Sequence, residues 1–318
     1  MTLATGRGAD VSVLVPARDE AENLPLFVRA CANALTAAPA TYEVIVIDDG
    51  SRDASAQVLE ELQREHAFLR VVRHRTGRGI AAALRTGTEC AAGRVLVFYP
   101  ADMQFAPDDI PRLAEPVLAG DADIVTGAKH GHYDKAFVSR VYNALSRNLF
   151  RVGVRDLNSV KAYVRDVMTA VPDRPDWHRY MVVVAVAQGF SVKEIPVPVY
   201  PRHAGRSKFG LSRIPVGVLD MLAVWFELRF AQKPLLLFGM LGAGLFALGV
   251  VAGVVALVRL ALFDEGYRWL WTLVQTCLLL GSVFFATGLL GEQIAATRAE
   301  QRELRRRLDA MGRPVPRD

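Results

Sequence analysis

Apolar residues follow two regimes along this chain. Up to about position 234 they form short runs of four or five, separated by stretches in which apolar positions recur every three or four residues; beyond it they run almost unbroken. The first regime predicts buried strands alternating with one-sided helices. Val11-Ser12-Val13-Leu14-Val15, closed by Pro16, reads as a first strand, and Asp19 to Leu35 as a helix with Leu24, Phe27, Val28, Cys31 and Leu35 along one face. Val44 to Ile47 is a second buried strand, ending in Asp48-Asp49-Gly50-Ser51-Arg52-Asp53. Ala54 to Glu65 returns as a helix, Leu69 to Val72 is a short strand, and the turn Gly77-Arg78-Gly79 opens a helix to Ala92. Val95 to Tyr99 is another strand, running straight into Pro100-Ala101-Asp102-Met103-Gln104. This alternation predicts a parallel, doubly wound α/β sheet.

Further along, Ile124 to Gly127 reads as a strand, Phe137 to Phe150 as mostly helical, and Asp156 to Val164 as a strand returning to the sheet. Tyr180 to Gln188 suits a helix, Val192 to Tyr200 an extended segment with alternating prolines, and Arg202 to Gly210 a loop. Ile214, Val218, Leu222, Trp225 and Phe226 form a stripe. It predicts an interfacial amphipathic helix within residues 212–233.

The second regime carries no charge from Leu235 to Leu257 or from Leu270 to Leu290. At about 1.5 Å per residue each stretch crosses the roughly 30 Å hydrocarbon core, so two transmembrane helices, 234–262 and 268–291, are expected as a hairpin. Two buried helices of a soluble core fit the length of these runs less well. Tyr267, Trp269 and Trp271 sit where an aromatic belt would. Arg229 and Lys233 precede the first span, and Arg298, Arg302, Arg305, Arg306 and Arg307 lie in the basic tail 292–318. The positive-inside rule therefore puts the N-terminal domain and the tail on the cytoplasmic side of a cell membrane crossed twice. Met1 to Asp10 is too short and polar for a cleavable signal peptide.

Net charge is +5, gathered partly near the spans, which suits an anionic bilayer surface rather than nucleic acid. Cys31, Cys90 and Cys277 are scattered, as in a reducing compartment, and suggest no chemistry. Gly249-Val250-Val251-Ala252-Gly253 is a small-residue packing motif. It suits contact with the second span or with another copy in a homo-oligomer. The tail's Leu304 and Leu308 share a face that fits the membrane surface or oligomerisation equally.

Chemistry concentrates at two strand ends. Asp102 and Gln104 are hard oxygen donors of the kind Mg²⁺ or Mn²⁺ prefers, and the position two before Asp102, where a second carboxylate would complete such a site, is Pro100. Adjacent parallel strands would bring Asp48 and Asp49 to the same crevice as Asp102. There one end could read a base or ribose and the other hold a diphosphate through a metal. An ordinary turn with helix N-capping accounts for Asp48, Asp49 and Asp53 equally well. Gly77-Arg78-Gly79 lacks the full glycine pattern directly after the first strand, which disfavours a dinucleotide-dependent dehydrogenase. No Ser/His/Asp arrangement or Cys/His metal spacing stands out, and His130 and His132 read as solvated loop residues.

Five motifs in order carry a resemblance: Val15 to Asn23 (Val-Pro-Ala-Arg-Asp-Glu-Ala-Glu-Asn), Ile47 to Asp53, Gly77 to Gly79, Ala101 to Gln104, and Arg202 to Lys208 (Arg-His-Ala-Gly-Arg-Ser-Lys). Over roughly residues 11–232 the chain resembles family 2 glycosyltransferases. The likeness is greatest to the branch of dolichol-phosphate mannose synthases and bacterial polyprenyl-phosphate glycosyltransferases, whose membrane-anchored members the two spans match. The resemblance implies a Rossmann-like GT-A catalytic domain with a mostly parallel sheet over 1–211, and a divalent metal. It implies inverting transfer of one sugar from a UDP- or GDP-hexose to a dolichyl- or undecaprenyl-type phosphate at the cytoplasmic face.

By that resemblance Pro16, Arg18, Glu20 and Gly79 line the nucleotide sugar, Asp49 reads the base with Asp48 beside it, and Asp102 and Gln104 hold metal and diphosphate. Lys129 stands where the family usually has arginine, and Asp156-Leu157-Asn158-Ser159 where it more often has Asp-x-Thr-Ser, so Lys129 and Ser159 fall on the acceptor side. A lipid phosphate is already anionic, so the reaction needs positioning and charge screening more than a strong base. Arg202, Arg206 and Lys208 are placed to clamp that phosphate, Arg202 and Lys208 joining Asp102 as catalytic candidates. A generic basic patch for anionic lipid is the plainer reading of the same loop. Arg140 and Arg147, one helical face apart, suit an assisting role or simple solvation. Family members carry Asp-x-Asp where this chain has Pro100-Ala101-Asp102, which predicts weaker or altered metal dependence. A polysaccharide synthase is disfavoured by the two spans and the missing Gln-x-x-Arg-Trp signature, and a non-catalytic membrane scaffold by the retained Asp49, Asp102 and Gln104.

Overall fold

A computed structural model of the chain describes residues 8–131, 149–150, 152–172, 174, 176–201, 203, 214–230, 233–263 and 267–310. It divides into two compact units, Met1–Val216 and Gly217–Asp318.

In the first unit, strands β1 (Val11–Ala17), β2 (Tyr42–Asp48), β3 (Leu69–Arg73) and β4 (Val95–Phe98) alternate with helices α1 (Leu24–Thr36), α2 (Ser55–Glu65) and α3 (Ile80–Cys90). Then come α4 (Asp109–Leu118), β5 (Ile124–His130), β6 (Lys161–Val164), α5 (Arg165–Ala170), a 3₁₀ turn at Trp177–Tyr180, α6 (Met181–Ala187) and β7 (Val192–Pro198). The seven strands form one sheet in the order β3-β2-β1-β4-β6-β5-β7. Every residue of β2 and all but Pro16 of β1 are buried, as a sheet covered on both faces requires.

The sheet is mostly parallel, as expected for this fold, with one exception. β6 runs antiparallel to both β4 and β5. β5 ends, and β6 begins, at the same edge of the sheet, and a connection that stays on one edge joins antiparallel strands, whereas a parallel pair needs a crossover. Helix α1 starts at Leu24 rather than Asp19 because Asp19 is left-handed (φ 54°) and Pro25 occupies the first turn. Helix α4 was hidden by Pro111 and Pro116, although Ile110, Leu113, Ala114 and Val117 bury a regular face. In β7, Pro196 and Pro198 are tolerated because the strand lies at the end of the sheet.

At the N-terminal edge of β1 and β2 a polar network is closed on itself. The Ser12 hydroxyl donates to Glu43 Oε1 at 2.6 Å, the Ala92 amide to the same oxygen at 2.6 Å, and Arg70 Nη1 to Glu43 Oε2 at 3.0 Å. Arg165 caps the end of α3 by donating to the carbonyls of Thr88, Ala91 and Gly93. Glu43 is buried with its charge paired, the condition on which a buried carboxylate is tolerated.

The second unit holds helices α7 (Ile214–Phe230), α8 (Pro234–Phe263) and α9 (Arg268–Ala310). Apolar residues run around most of α7 rather than down one stripe: Met221 and Val224 are buried while Leu219 and Leu222 are exposed. Helices α8 and α9 are long and apolar enough to cross a membrane, and only 17% and 22% of their apolar stretches are buried. A soluble core would cover them. At about 1.5 Å per residue the 43 residues of α9 extend about 64 Å, twice the roughly 30 Å hydrocarbon core. The tail up to Ala310 therefore continues the second span as one helix.

The two long helices cross on different glycines from those the sequence singles out. A methyl group at Gly242 would stand 2.8 Å from the Gly281 carbonyl oxygen, and one at Gly281 would stand 2.9 Å from the Gly242 carbonyl oxygen. Gly249 meets Cys277 and Leu278 of α9, whereas the nearest atom to a methyl at Gly253 is 3.8 Å away. Gly242→Ala and Gly281→Ala should each lower the melting temperature in detergent on the scale of overpacking, roughly 1–3 kcal/mol. Gly253→Ala should leave it unchanged; equal losses at all three positions would exclude this crossing point.

Candidate active site

Four loops meet at the C-terminal edge of the sheet, those following β1, β2, β3 and β4, and the first three are stitched together by side chains. The Asp49 amide donates to the Ala17 carbonyl at 2.8 Å. Asp49 Oδ1 accepts from the Arg78 amide and from His74 Nδ1, and Oδ2 from the Gly79 amide, each at 2.8 Å. Gly79 can present its amide because it adopts φ 88°, a region that favours glycine. Gly50 is likewise left-handed (φ 70°), and a methyl there would lie 2.7 Å from the backbone of Thr76 and Gly77. The Arg18 guanidinium lies over Gly77 where a Cβ would otherwise project.

The β1 loop is held to the β2 loop in the same way. The Asp19 amide donates to Ser51 Oγ, Glu20 to Ser55 Oγ and Ala21 to Asp53 Oδ2, while Asp19 Oδ1 accepts from the Arg52 amide. The two readings of the aspartates thus divide. Asp48 and Asp53 do turn work, Asp48 Oδ1 accepting from Ser51 and Asp53 Oδ1 from Ser55, both at 2.9 Å. Asp48 also lies 3.2 Å from Arg73 Nε. The Asp49 carboxylate instead reaches across to the β3 loop. Burial would raise its pKa, but the hydrogen bonds from Arg78, His74 and Gly79 outweigh this and hold the carboxyl below the ordinary value.

Beyond β4 the chain turns sharply. Met103 is left-handed (φ 57°), an uncommon state for a residue with a side chain and one that collects at functional sites. It sits between Asp102 and Gln104, whose amide donates to Asp102 Oδ1 at 3.2 Å. The Gln104 carbonyl accepts from the Tyr200 amide at 2.9 Å. Among the described residues no cluster of three or more His, Cys, Asp or Glu is arranged to hold a metal. Asp102 and Gln104 supply two oxygen donors, enough for a hard cation only where substrate phosphates and waters complete its shell.

Antiparallel β6 brings a further segment to this edge. Glu194 Oε1 accepts from the Arg155 and Asp156 amides at 2.7 and 3.0 Å. Lys129 Nζ donates to the Asn158 carbonyl at 2.8 Å and pairs with Asp156 Oδ2 at 3.3 Å. The Lys129 charge is thus engaged in holding the Asp156–Ser159 turn, and the buried Ser159 hydroxyl has no hydrogen-bond partner among the described residues. Pro16 and Glu20 are half-buried and Arg18 exposed at the rim. Arg202, Arg206, Lys208, Arg140, Arg147 and His132 lie outside the described residues, and His130 is exposed at the end of β5.

Three residues were not anticipated. His74 bridges Asp49 to α3, its Nε2 lying 3.0 Å from Thr86 Oγ1. Lys161, opposite Phe98 in the β4–β6 ladder, is completely buried, with Nζ 3.3 Å from the Leu157 carbonyl and 5.7 Å from the centre of the Phe98 ring. His178 packs edge-on against the same ring. Burial, aided by the charges of Lys161 and Arg179, drives the His178 pKa down to about 3, so its ring is neutral at pH 7. A lysine inside the apolar run Val160 to Val164 is the one signal the sequence offered; nothing in the spacing marks either histidine.

A mostly parallel sheet with its polar loops gathered at one edge defines a GT-A glycosyltransferase fold. The model of "Glycosyl transferase family 2" matches residues 12–170, half of the chain, and the chain belongs to that family. It is a glycosyltransferase. It is 31% identical over 305 residues to a dodecaprenyl-phosphate galacturonate synthase of Rhizobium johnstonii, covering 91% of this chain and 88% of that one. To an undecaprenyl-phosphate 4-deoxy-4-formamido-L-arabinose transferase of Pseudomonas fluorescens it is 30% identical, covering 89% of this chain and 84% of the relative. The fold also matches the crystal structure of glucosyl-3-phosphoglycerate synthase from Mycobacterium tuberculosis in complex with Mn²⁺, UDP and glucosyl-3-phosphoglycerate. There the TM-score is 0.56 with 19% identity, over 70% of this chain and 80% of that one.

Burial lowers the Lys161 ammonium from 10.5 to about 8, Asp156 opposing the shift and Lys129 reinforcing it. Between those values the folded chain has lost a proton that the unfolded chain still holds, so stability from this site rises with pH. The melting temperature of the wild type should therefore climb relative to that of Lys161→Met as pH rises through 8 toward 10. A constant difference would show that the buried ammonium is not depressed.

Proposed function

We propose that this enzyme transfers a single sugar from a nucleotide sugar to a polyprenyl phosphate, with inversion, on the cytoplasmic face of a membrane. The observation that carries the proposal is the meeting, at one sheet edge, of the Asp49-centred rim and the Asp102–Gln104 turn, in a chain that ends in two membrane-length apolar helices. The relatives named above, acting on polyprenyl phosphates, support the acceptor class.

In this reading Pro16, Arg18, Glu20 and Gly79 line the nucleotide, and Asp49 faces the base with Asp48 stabilising its turn. Asp102 and Gln104 face the diphosphate. A divalent cation, Mg²⁺ or Mn²⁺, would be held by these two residues with donor phosphate oxygens and waters, and would supply charge neutralisation to the leaving group. Arg202, Arg206 and Lys208 bind the lipid phosphate, Ser159 offers it a hydroxyl, and Lys129 acts through the turn that it holds. A lipid phosphate oxygen attacks the anomeric carbon, the bond from that carbon to the donor's β-phosphate oxygen breaks, and the nucleoside diphosphate leaves with the electron pair. No proton has to be removed from the nucleophile, because the phosphate is already anionic. The products are a lipid-linked sugar and a nucleoside diphosphate.

Full-length protein in detergent, given radiolabelled UDP- or GDP-sugars and polyprenyl phosphate, should produce label extractable into organic solvent. Asp102→Ala should lower that turnover by about a hundredfold or more, the scale of losing one electrostatic stabiliser. Insoluble polymer, or equal turnover in the variant, would reject the proposal. Pro100→Asp should move half-maximal activation to lower metal concentration; an unchanged titration curve would place the metal away from Asp102.

A further inference from the structure

The hydrogen bonds on Asp49 limit what else it can accept. A carboxylate offers about four acceptor positions, two on each oxygen. Oδ1 already takes two donors, the Arg78 amide and His74 Nδ1, and Oδ2 takes one, the Gly79 amide. Oδ1 is full and one position is left, on Oδ2. Backbone amides supply two of the three donors and belong to the loop whatever its sequence. His74 is the only side chain among the three.

The His74 ring is set for this task. It is buried, at 7% exposure, and is gripped from both sides, by Asp49 at 2.8 Å and by Thr86 Oγ1 at 3.0 Å. Nδ1 faces the ionised Asp49 carboxylate and donates to it, while Nε2 lies against the Thr86 hydroxyl. The His74 amide also donates to the Asp48 carbonyl at 2.9 Å, which anchors the residue to the end of β2. The ring is thus held on the Oδ1 side of Asp49, away from Oδ2, which takes the Gly79 amide.

The two common bases of sugar nucleotides present different donors to a carboxylate. Uracil offers a single imide N3–H. Guanine offers N1–H beside its amino group, and that pair engages both carboxylate oxygens at once. We propose that His74 is a specificity-determining residue: by filling Oδ1 it leaves Asp49 able to accept one N–H, which selects a uridine over a guanosine nucleotide. The inference rests on the reading that Asp49 faces the base, and it adds both the base and the residue that chooses it.

Calorimetric titration of UDP and of GDP, each with Mg²⁺, into full-length protein in detergent tests this directly. Wild type should bind UDP more tightly than GDP, and His74→Phe should cut the UDP-to-GDP affinity ratio by about tenfold, the scale of one charge-assisted hydrogen bond. His74→Asn, whose side-chain amide can donate to Asp49, should preserve the ratio. A purely structural His74 would weaken both nucleotides equally, and an unchanged ratio in His74→Phe would overturn the inference, as would a wild type that prefers GDP. Asp49→Asn separates the two levels: if UDP affinity is unaffected by it, Asp49 does not face the base. If Asp49→Asn weakens UDP while His74→Phe leaves the ratio intact, only the role of His74 fails.

Discussion

The Asp49 carboxylate is the interaction on which the functional edge of this protein depends. It draws the loop after β3 onto the end of β2, while the amide of the same residue holds the end of β1. Three successive strand ends become one rim. The contact works because Gly50 lets its backbone approach that of Thr76 and Gly77 at a distance no side chain would permit. Three strong donors on a buried carboxylate keep it ionised despite its loss of water, so the rim is a fixed negative acceptor rather than a group that has to adapt on binding.

The two edges of the sheet show opposite polar economies. At the N-terminal edge of β1 and β2, Glu43, Ser12, Arg70 and Arg165 satisfy one another and the backbone of the α3–β4 connection, leaving that edge purely structural. At the other, capacity remains: the Ser159 hydroxyl and His178 Nδ1 are buried without partners among the described residues. Antiparallel β6 is what makes this edge rich. Had that strand entered by a crossover, Lys161 and the Asp156–Ser159 turn would have lain at the far side.

Most of the fold was legible because strands β1, β2 and β4 are unbroken apolar runs ending in abrupt polar turns. The aspartates at the ends of β2 and β4 were legible too, as residue types out of keeping with the runs before them. What stayed hidden was set by distance in the chain. His74 gains its meaning from Asp49 and Thr86, 25 and 12 positions away, and no local pattern encodes that meeting. Lys129 was placed on the acceptor side by resemblance; that its ammonium also holds Asp156 and the Asn158 carbonyl is visible only once β5 and β6 pair. Among the apolar helices, glycine spacing identified a packing surface but not its register; Gly242 and Gly281 meet because of where the hairpin turns.

In the proposed reading, Pro100 stands where a second carboxylate would complete a metal site, and this puts the weight on Asp102. With one protein carboxylate instead of two, any cation at this edge depends on the donor diphosphate for much of its shell, which couples metal binding to substrate binding. The most direct test is an experimental structure of the full chain with Mn²⁺ and a bound uridine nucleotide sugar. The account predicts the base against the Asp49–Gly79 rim and the metal touching Asp102 and the diphosphate. A nucleotide lodged at another edge of the sheet, or a metal with no contact to Asp102, would contradict it.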